Sequence, residues 1–448
     1  MPTRSSPGSK RSSASDLVTG ASHSVDQVTG SARRALRLAI ISGGARAPGF
    51  LVPVLIAGYY GAGSQTDAYF IAYSAALLVG GTLAQGIDVA IVPFAAVAIG
   101  RGGGVARDFL DGTALRVLGL AGVLWAIAFA LAVLASKAEM RSQVAFYSLG
   151  FAPLVVLWNA SAVYSGGLIS QDAIGLSTAS MLCRGVGGLG VLMVAPRGLG
   201  LIAVALGIGL GELFRAWWLR ARLLERLIAR ETDRSTERVT GFGSAATAQV
   251  LAGLTGGAAP VVERFLATSL EAGTVSRLEY ASRLLVIPGL IFDGALGPLL
   301  LARWSQTVAT SGRPPSRAQV LRAVGKGTLL AIAIGCVGYI VAGVAVQVLL
   351  HHGRFRDEDA GVVTSLLRLL LIGYVASMGA VLLERYYLAC VKNRLLAALS
   401  LGRLSVRVLT ALVLLPSLGV FAFGVGFAAA EFGYMLVLAL LLPGQHAP

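Results

Sequence analysis

Charged residues are scarce in this chain of 448 residues: they make up 13% of it, while hydrophobic residues make up 56%. A soluble protein of this size does not hide so much apolar surface behind so few charges. The 57 glycines favour the same interpretation, because small residues let the backbones of membrane helices approach closely. The composition therefore predicts an all-α polytopic membrane protein.

The residue types of common catalytic and metal sites are also few. The three cysteines, Cys183, Cys336 and Cys390, are isolated in apolar segments and show neither metal-ligand spacing nor a disulfide framework. No Walker phosphate loop and no pairing of a nucleophile with a base is present. The sequence predicts no enzyme, no metal site and no cofactor. Energy for any work that the protein does would then come from a coupling cation, from the membrane potential or from consumption of its product.

Long apolar runs follow one another along most of the chain. About 20 apolar residues cross a hydrocarbon core of ~30 Å. This rule predicts about twelve transmembrane helices, at 36–60, 67–99, 112–135, 144–170, 174–196, 198–219, 241–268, 275–302, 324–350, 361–390, 395–417 and 419–443. The second, eighth and tenth are long enough to require tilt, a break or an emergent end.

Weak internal similarity divides these helices into two halves. Residues 57–63 (AGYYGAG) and 267–273 (ATSLEAG) each close a long helix and precede a helix with a polar, aromatic turn. The sequence thus predicts two pseudo-symmetric six-helix lobes around a central cavity, related by a parallel repeat about the membrane normal. The predicted parts are a disordered cytoplasmic arm at 1–34, an N-lobe at 35–219, a basic cytoplasmic linker at 220–240 and a C-lobe at 241–448.

The formal net charge of +15 is concentrated on one side of this topology. Arg and Lys crowd the chain before the first helix and after the sixth, whereas residues 58–66 carry neither. The positive-inside rule then places both termini in the cytoplasm. The basic balance requires no nucleic-acid partner, since no aromatic and basic patch or soluble domain accompanies it.

Three charged residues interrupt the apolar stretch 45–93: Arg46, Asp67 and Asp88. Hydrocarbon tolerates neither bare charge nor unpaired backbone, so helices that carry both face a protein-lined, wet interior. Such an interior is typical of a transporter cavity and not of an inert anchor.

Three patches of the sequence resemble one family. The first is 60–73 (YGAGSQTDAYFIAY), the second combines 261–267 (VVERFLA) with 280–284 (YASRL), and the third is 353–355 (GRF). They resemble the MurJ/MviN lipid II flippase family, part of a superfamily of two-lobed flippases and drug exporters. The resemblance implies a flippase of the bacterial cytoplasmic membrane. It would move a polyprenyl-diphosphate-linked saccharide to the outer leaflet by alternating access, with glycan-synthesis enzymes as further partners.

The chain departs from the family pattern at several positions. Val52 stands where the family has a second Arg on helix one, Gly80 and Gly81 where it has an Arg pair on helix two, and Gln85 where it has a Glu. Family members commonly have fourteen helices, and twelve are predicted here. The cargo implied is therefore lipid II or a related exopolysaccharide precursor.

Basic residues inside the predicted helices are candidates for holding the diphosphate. Arg offers a fixed charge and a planar fork that suits phosphate oxygens. Arg46, Arg264 and Arg283 are the predicted substrate-binding residues, and Arg184 is a secondary cavity candidate.

Acidic residues in the same regions are candidates for gating or ion coupling: Asp67, Glu263 and Glu279. A purely structural role competes with each assignment. Glu263 with Arg264, and Glu279 with Arg283 at i,i+4, can form structural pairs. Asp67 can simply cap its own helix.

Two other functions stay open at this point. A cation-coupled small-molecule exporter of the same superfamily would need unpaired acids in its cavity, whereas clustered Arg residues favour an anionic lipid headgroup. A non-transporting scaffold for glycan synthesis would act through its basic arm and loops, and would tolerate neutral residues at Arg46 and Arg283.

Overall fold

Helices make up all the regular structure in the computed structural model, which confirms the predicted all-α membrane class. The structure describes residue 37 and residues 40–194, 199–228, 242–292, 296–311, 313–390 and 392–443, and no strand occurs among them. The predicted arm at 1–34 lies outside the described residues.

The first half of the described chain forms a series of helices. They are α1 (Ile40–Tyr60), α2 (Ser64–Ala76), α3 (Thr82–Gly100), α4 (Gly103–Ala135), α5 (Arg141–Ile169), α6 (Ile174–Ala179), α7 (Leu182–Val194) and α8 (Gly200–Ile228). A π-helical turn, Leu77–Gly81, joins α2 to α3, so that the two form one long segment. The short α6 and α7 together occupy one predicted span.

The second half is also a series of helices. They are α9 (Phe242–Ala267), α10 (Thr274–Ile291), α11 (Gly297–Ser311), α12 (Arg317–Leu349), α13 (Asp357–Ala389), α14 (Asn393–Leu418) and α15 (Phe421–Leu440). The segments α10 and α11 together occupy the predicted eighth span.

Each of the twelve predicted spans falls on one of these helices or on a consecutive pair. Within the described residues, ten helical segments are long and apolar enough to cross a membrane. The remaining predicted spans are α9 and the pair α10–α11, which carry Glu263, Arg264, Glu279 and Arg283. The fold turns these charges toward its interior.

The helix α8 continues as far as Ile228, so the first part of the predicted linker at 220–240 is helical. The rest of that linker lies outside the described residues. The division of the chain into two lobes at these boundaries stays a prediction.

Two helices, α5 and α13, form the centres of two helix groups. α5 contacts α2, α3, α4 and α8, and α13 contacts α10, α11, α12 and α15. Both helices bury residues on nearly every side, as expected for helices with neighbours all round. Small residues allow the close approach: a Cβ on Gly373 of α13 would lie 2.6 Å from Cδ1 of Phe427 on α15.

Few helices connect the two groups. α2 contacts α9 and α10, and α3 contacts α9. Between these contacts the groups enclose a cavity, and the charged helices α9 and α10 form one of its walls.

Candidate functional site

A cavity of about 640 Å³ lies between the two helix groups. Its walls come from α2, α3, their π-helical turn and α5 on one side, and from α9, α10, α13, α14 and α15 on the other. The charged residues that line it are Glu263, Arg264, Glu279, Arg283 and Arg407. Three arginines against two glutamates give this lining a formal net charge of +1.

Glu279 of α10 is the centre of the charged wall. Its side chain is fully buried, and its carboxylate accepts hydrogen bonds from Nε of Arg264 at 2.8 Å and from Nε of Arg283 at 2.6 Å. Nη2 of Arg264 also donates to Glu279, and Nη1 donates to the Pro260 carbonyl oxygen at 2.7 Å. One carboxylate therefore holds two guanidiniums side by side at the cavity wall.

Arg283 is the more exposed of these two arginines. Its side chain is 26% exposed, against 9% for Arg264, and its Cζ lies 5.1 Å from the centroid of the Tyr73 ring. Because Arg264 is held by both Glu279 and Pro260, Arg283 is the guanidinium better placed to meet a ligand.

Glu263 forms a second ion pair across the cavity. Both oxygens of its carboxylate accept hydrogen bonds from Arg407 of α14, from Nε at 2.5 Å and from Nη2 at 2.7 Å. The neighbouring pair Glu263–Arg264 that the sequence allowed does not form. Adjacent residues on a helix do not face each other, so each of the two finds its partner on another helix.

Arg184 lies behind the cavity wall formed by Trp158. Its Cζ is 3.7 Å from the Trp158 ring centroid, and its Nε donates to Glu212 at 2.8 Å. The fully buried Glu212 also accepts a hydrogen bond from Nη1 of Arg215 at 2.9 Å. Arg184 is thus separated from the cavity by the Trp158 ring. It shares the carboxylate of Glu212 with Arg215.

The double glycine of the π-helical turn makes room for that indole. A Cβ on Gly80 or on Gly81 would lie 3.2 Å from the Trp158 ring. The resembling family carries an Arg pair at these two positions. Here both residues are glycines, and the Trp158 ring fills the space beside them, with Arg184 behind it.

Asp67 joins the two helix groups at the end of the molecule that contains Gly61, hereafter the Gly61 end. Its carboxylate accepts hydrogen bonds from the Gly273 amide at 2.6 Å, from the Ser276 amide at 2.8 Å and from the Ser276 hydroxyl at 2.5 Å. Asp67 is a cap, but it caps the first turn of α10 in the other group and not its own helix α2. The local cap was the structural alternative for Asp67, and its gating or ion-coupling role stays a prediction.

Further contacts close the Gly61 end. The Tyr280 hydroxyl donates to the Gly61 carbonyl oxygen at 3.0 Å, and the Arg354 amide donates to the Gly58 carbonyl oxygen at 2.8 Å. Gly61 has a φ of +70°, and a Cβ there would lie 2.7 Å from the Arg354 carbonyl oxygen, so the approach of these loops depends on glycine.

The opposite end, hereafter the Phe242 end, is closed by α3 against α9. A Cβ on Gly86 of α3 would lie 2.8 Å from Cγ2 of Val250 on α9. The Phe94 and Phe242 rings pack edge to face, with centroids 5.8 Å apart. The cavity therefore lies between two zones of close contact, one at each end.

Arg46 does not join the other predicted substrate-binding residues. It is exposed on α1, is absent from the cavity lining, and forms no ion pair with another described residue. Arg407 and Trp158 were not predicted. Arg407 had a sequence signal, since Arg403 and Arg407 at i,i+4 share one face of an apolar helix; Trp158 had none.

Comparisons with known proteins agree with this architecture. A family profile described as lipid II flippase MurJ matches residues 56–447. Among curated proteins, none matches this sequence.

Solved structures resemble the chain over nearly its whole length. One is the lipid II flippase MurJ in an inward-closed conformation, with 17% sequence identity and a TM-score of 0.71, covering 91% of this chain and 86% of that one. Another is an inward-facing multidrug resistance transporter of the MATE family, with 14% identity and a TM-score of 0.68, covering 90% and 96%. These likenesses show the fold, and the profile match shows the family. The chain belongs to the MurJ lipid II flippase family, whose members are membrane transporters and not enzymes.

Proposed function

We propose that this protein translocates a polyprenyl-diphosphate-linked saccharide, lipid II or a related exopolysaccharide precursor, from the inner to the outer leaflet of the bacterial cytoplasmic membrane. The observation that carries the proposal is the cavity lined by Arg264, Arg283 and Arg407, which lies between two closable ends. Family membership supports the cargo class, and the cavity supplies the chemistry.

The charge of the lining suits a diphosphate. A diphosphate diester carries about two negative charges, whose burial without compensation would be prohibitive. The lining has one positive charge in excess, and Arg184 stands behind Trp158. Arg283, with its exposed guanidinium, would bind phosphate oxygens while Glu279 keeps Arg264 in place.

Alternating access requires that the two ends open in turn. At the Gly61 end, Asp67 must release α10; at the Phe242 end, α3 must part from α9. The positive-inside rule assigns the Phe242 end and both chain termini to the cytoplasm. Cargo would then enter from the Phe242 end and leave at the Gly61 end.

The small-molecule exporter receives less support from the cavity. A cationic drug needs an unpaired acid, but Glu263 and Glu279, the acids of the described lining, are both held by arginines. A scaffold without transport would leave the charged wall without a role. The following test distinguishes both alternative functions from the flippase.

The test is lipid flipping in proteoliposomes, with fluorescent lipid II and a lipid-linked exopolysaccharide unit measured side by side. Loss of a charged hydrogen bond costs about 1.5–3 kcal/mol, so Arg283→Ala is expected to slow flipping roughly ten- to a hundredfold. The matched control is Arg116→Ala, because Arg116 is exposed on α4. Flipping that is unaffected by Arg283→Ala, or wild-type protein that is folded but flips neither lipid, would contradict the proposal.

A further inference from the structure

The two walls of the central cavity differ in charge. All five charged residues of its described lining come from α9, α10 and α14. The facing wall comes from α2, α3, α5 and the π-helical turn, and its polar side chains are uncharged: Ser74, Thr82, Gln85 and Trp158. We call this surface the neutral wall. The described lining of the cavity is therefore charged on one side only.

The neutral wall offers the groups that bind a sugar ring. A sugar presents hydroxyls that both donate and accept hydrogen bonds, with apolar C–H groups between them. Gln85 is exposed and lines the cavity, and its amide both donates and accepts, as does the Thr82 hydroxyl. Trp158 supplies a large aromatic surface for the C–H groups. A few polar groups on an apolar lining are the usual composition of a site for a small molecule.

The Trp158 ring is held in place by its neighbours. Arg184 lies against it, with Cζ 3.7 Å from the ring centroid, and a Cβ on Gly80 or on Gly81 would lie 3.2 Å from the ring. Arg184 is itself paired with Glu212 and does not line the cavity. The neutral wall thus has a fixed aromatic surface, and the cation behind that surface does not meet a ligand.

The charged wall has no cation to spare for a further acidic group. Its three arginines face two glutamates, so its formal net charge is +1. The diphosphate diester of the proposed cargo carries about two negative charges, which already exceed that charge. A carboxylate on the saccharide would lie beside the neutral wall without a counter-charge, and burial of an unpaired charge is costly.

We propose that the saccharide of the cargo lies against the neutral wall, and that the sugar next to the diphosphate carries no charge. Gln85 and Trp158 are then the residues that determine this specificity. The cavity volume of about 640 Å³ is in the range of small-molecule sites and suits a diphosphate with a short saccharide. The inference rests on the proposed function. It favours a neutral exopolysaccharide precursor over lipid II, whose peptide carries carboxylates.

Flipping of three lipids in proteoliposomes tests the inference. All three carry the same fluorescently labelled polyprenyl chain and the same diphosphate, which bears glucose in the first, glucuronic acid in the second and a methyl group in the third. The membrane potential is held at zero, so that the extra charge of the second lipid adds no electrical driving force. The wild type is expected to flip the glucose lipid at least tenfold faster than the glucuronic acid lipid, because the carboxylate finds no partner. Equal rates for these two lipids overturn the inference.

Gln85→Lys places a cation on the neutral wall. An ammonium group pairs with a carboxylate, so this variant is expected to reduce the preference for the glucose lipid at least tenfold. The matched control is Gln143→Lys, because Gln143 is exposed on α5 and does not line the cavity. The control should keep the preference of the wild type. A preference in Gln85→Lys that equals that of the wild type would show that the neutral wall is not its source.

Trp158→Ala removes the aromatic surface. It should slow the glucose lipid about tenfold and leave the methyl lipid nearly unchanged, whereas Arg283→Ala should slow both. Trp158→Phe keeps an aromatic ring and should restore most of the flipping of the glucose lipid. Equal slowing of both lipids by Trp158→Ala would mean that Trp158 supports the fold alone, and would overturn its contact with the sugar.

Thermal unfolding establishes that each variant is folded. If Trp158→Ala does not fold, Gln85→Lys and the two sugar lipids still decide the outcome. A folded wild type that flips none of the three lipids would overturn the proposed function. Flipping of all three lipids at one rate would overturn the neutral-sugar specificity and leave the flippase standing.

Discussion

At the scale of single residues, Glu279 keeps two arginines together at the cavity wall. Glu279→Gln leaves Arg264 and Arg283 beside a neutral partner, and breaking a buried ion pair costs about 3–5 kcal/mol. We therefore expect a clearly lower unfolding temperature in detergent. Glu271→Gln, at an exposed position, is the control and should unfold with the wild type. Equal stability of the two variants would show that Glu279 does not hold the arginines.

The sequence predicts local pairs better than distant ones. Glu279 and Arg283 lie four residues apart on one helix, and the structure contains their ion pair at 2.6 Å. The partner of Glu263 is Arg407, 144 residues away, and that contact follows from how α9 and α14 pack. Arg46 illustrates the converse: an arginine inside an apolar segment indicates a polar environment, but the segment alone does not say that it faces the cavity.

At the scale of helices, the first turn of α10 depends on Asp67 of α2. Asp67→Asn removes the charge that accepts three hydrogen bonds, and bonds to charged groups contribute about 1.5–3 kcal/mol. We expect the Gly61 end to open more often, by about tenfold. Spin labels at Ser64→Cys and Glu271→Cys, both exposed at that end, report the opening as a longer distance.

The matched control for this helix contact is Asp108→Asn, because Asp108 is exposed on α4. The control should reproduce the distance distribution of the wild type. An unchanged distribution in Asp67→Asn would mean that the remaining contacts of the Gly61 end, such as that of Tyr280 with Gly61, suffice to keep it closed.

Hydropathy predicts helices well because it records each segment's own preference for lipid. It places all twelve spans on helices, and it predicts that the second span is too long for a straight crossing. The structure locates the irregularity as the π-helical turn Leu77–Gly81. At this turn Trp158 from α5 packs against Gly80 and Gly81, a contact that no hydropathy value contains.

At the scale of the whole molecule, the cavity is positive and both of its ends can be closed by contacts between the helix groups. A carrier of this kind moves its cargo's charge across the membrane with each cycle. If the interior of the cell is negative, outward movement of about two negative charges gains up to ~4.6 kcal/mol at 100 mV.

The membrane potential is therefore expected to drive the flipping step. In proteoliposomes with a potassium gradient and valinomycin, 100 mV should shift the ratio of lipid between leaflets by about three orders of magnitude relative to zero potential, since each 1.4 kcal/mol is tenfold. Reversing the gradient should reverse the shift, because the same charges then move uphill. Liposomes without protein distinguish transport from leakage: any shift that appears in them does not pass through the cavity. Liposomes that contain Arg283→Ala protein should reach the wild-type ratio more slowly. Flipping that proceeds to the same ratio with and without potential would mean that the diphosphate crosses with its charge fully compensated, and that consumption of the lipid on the far side determines the direction.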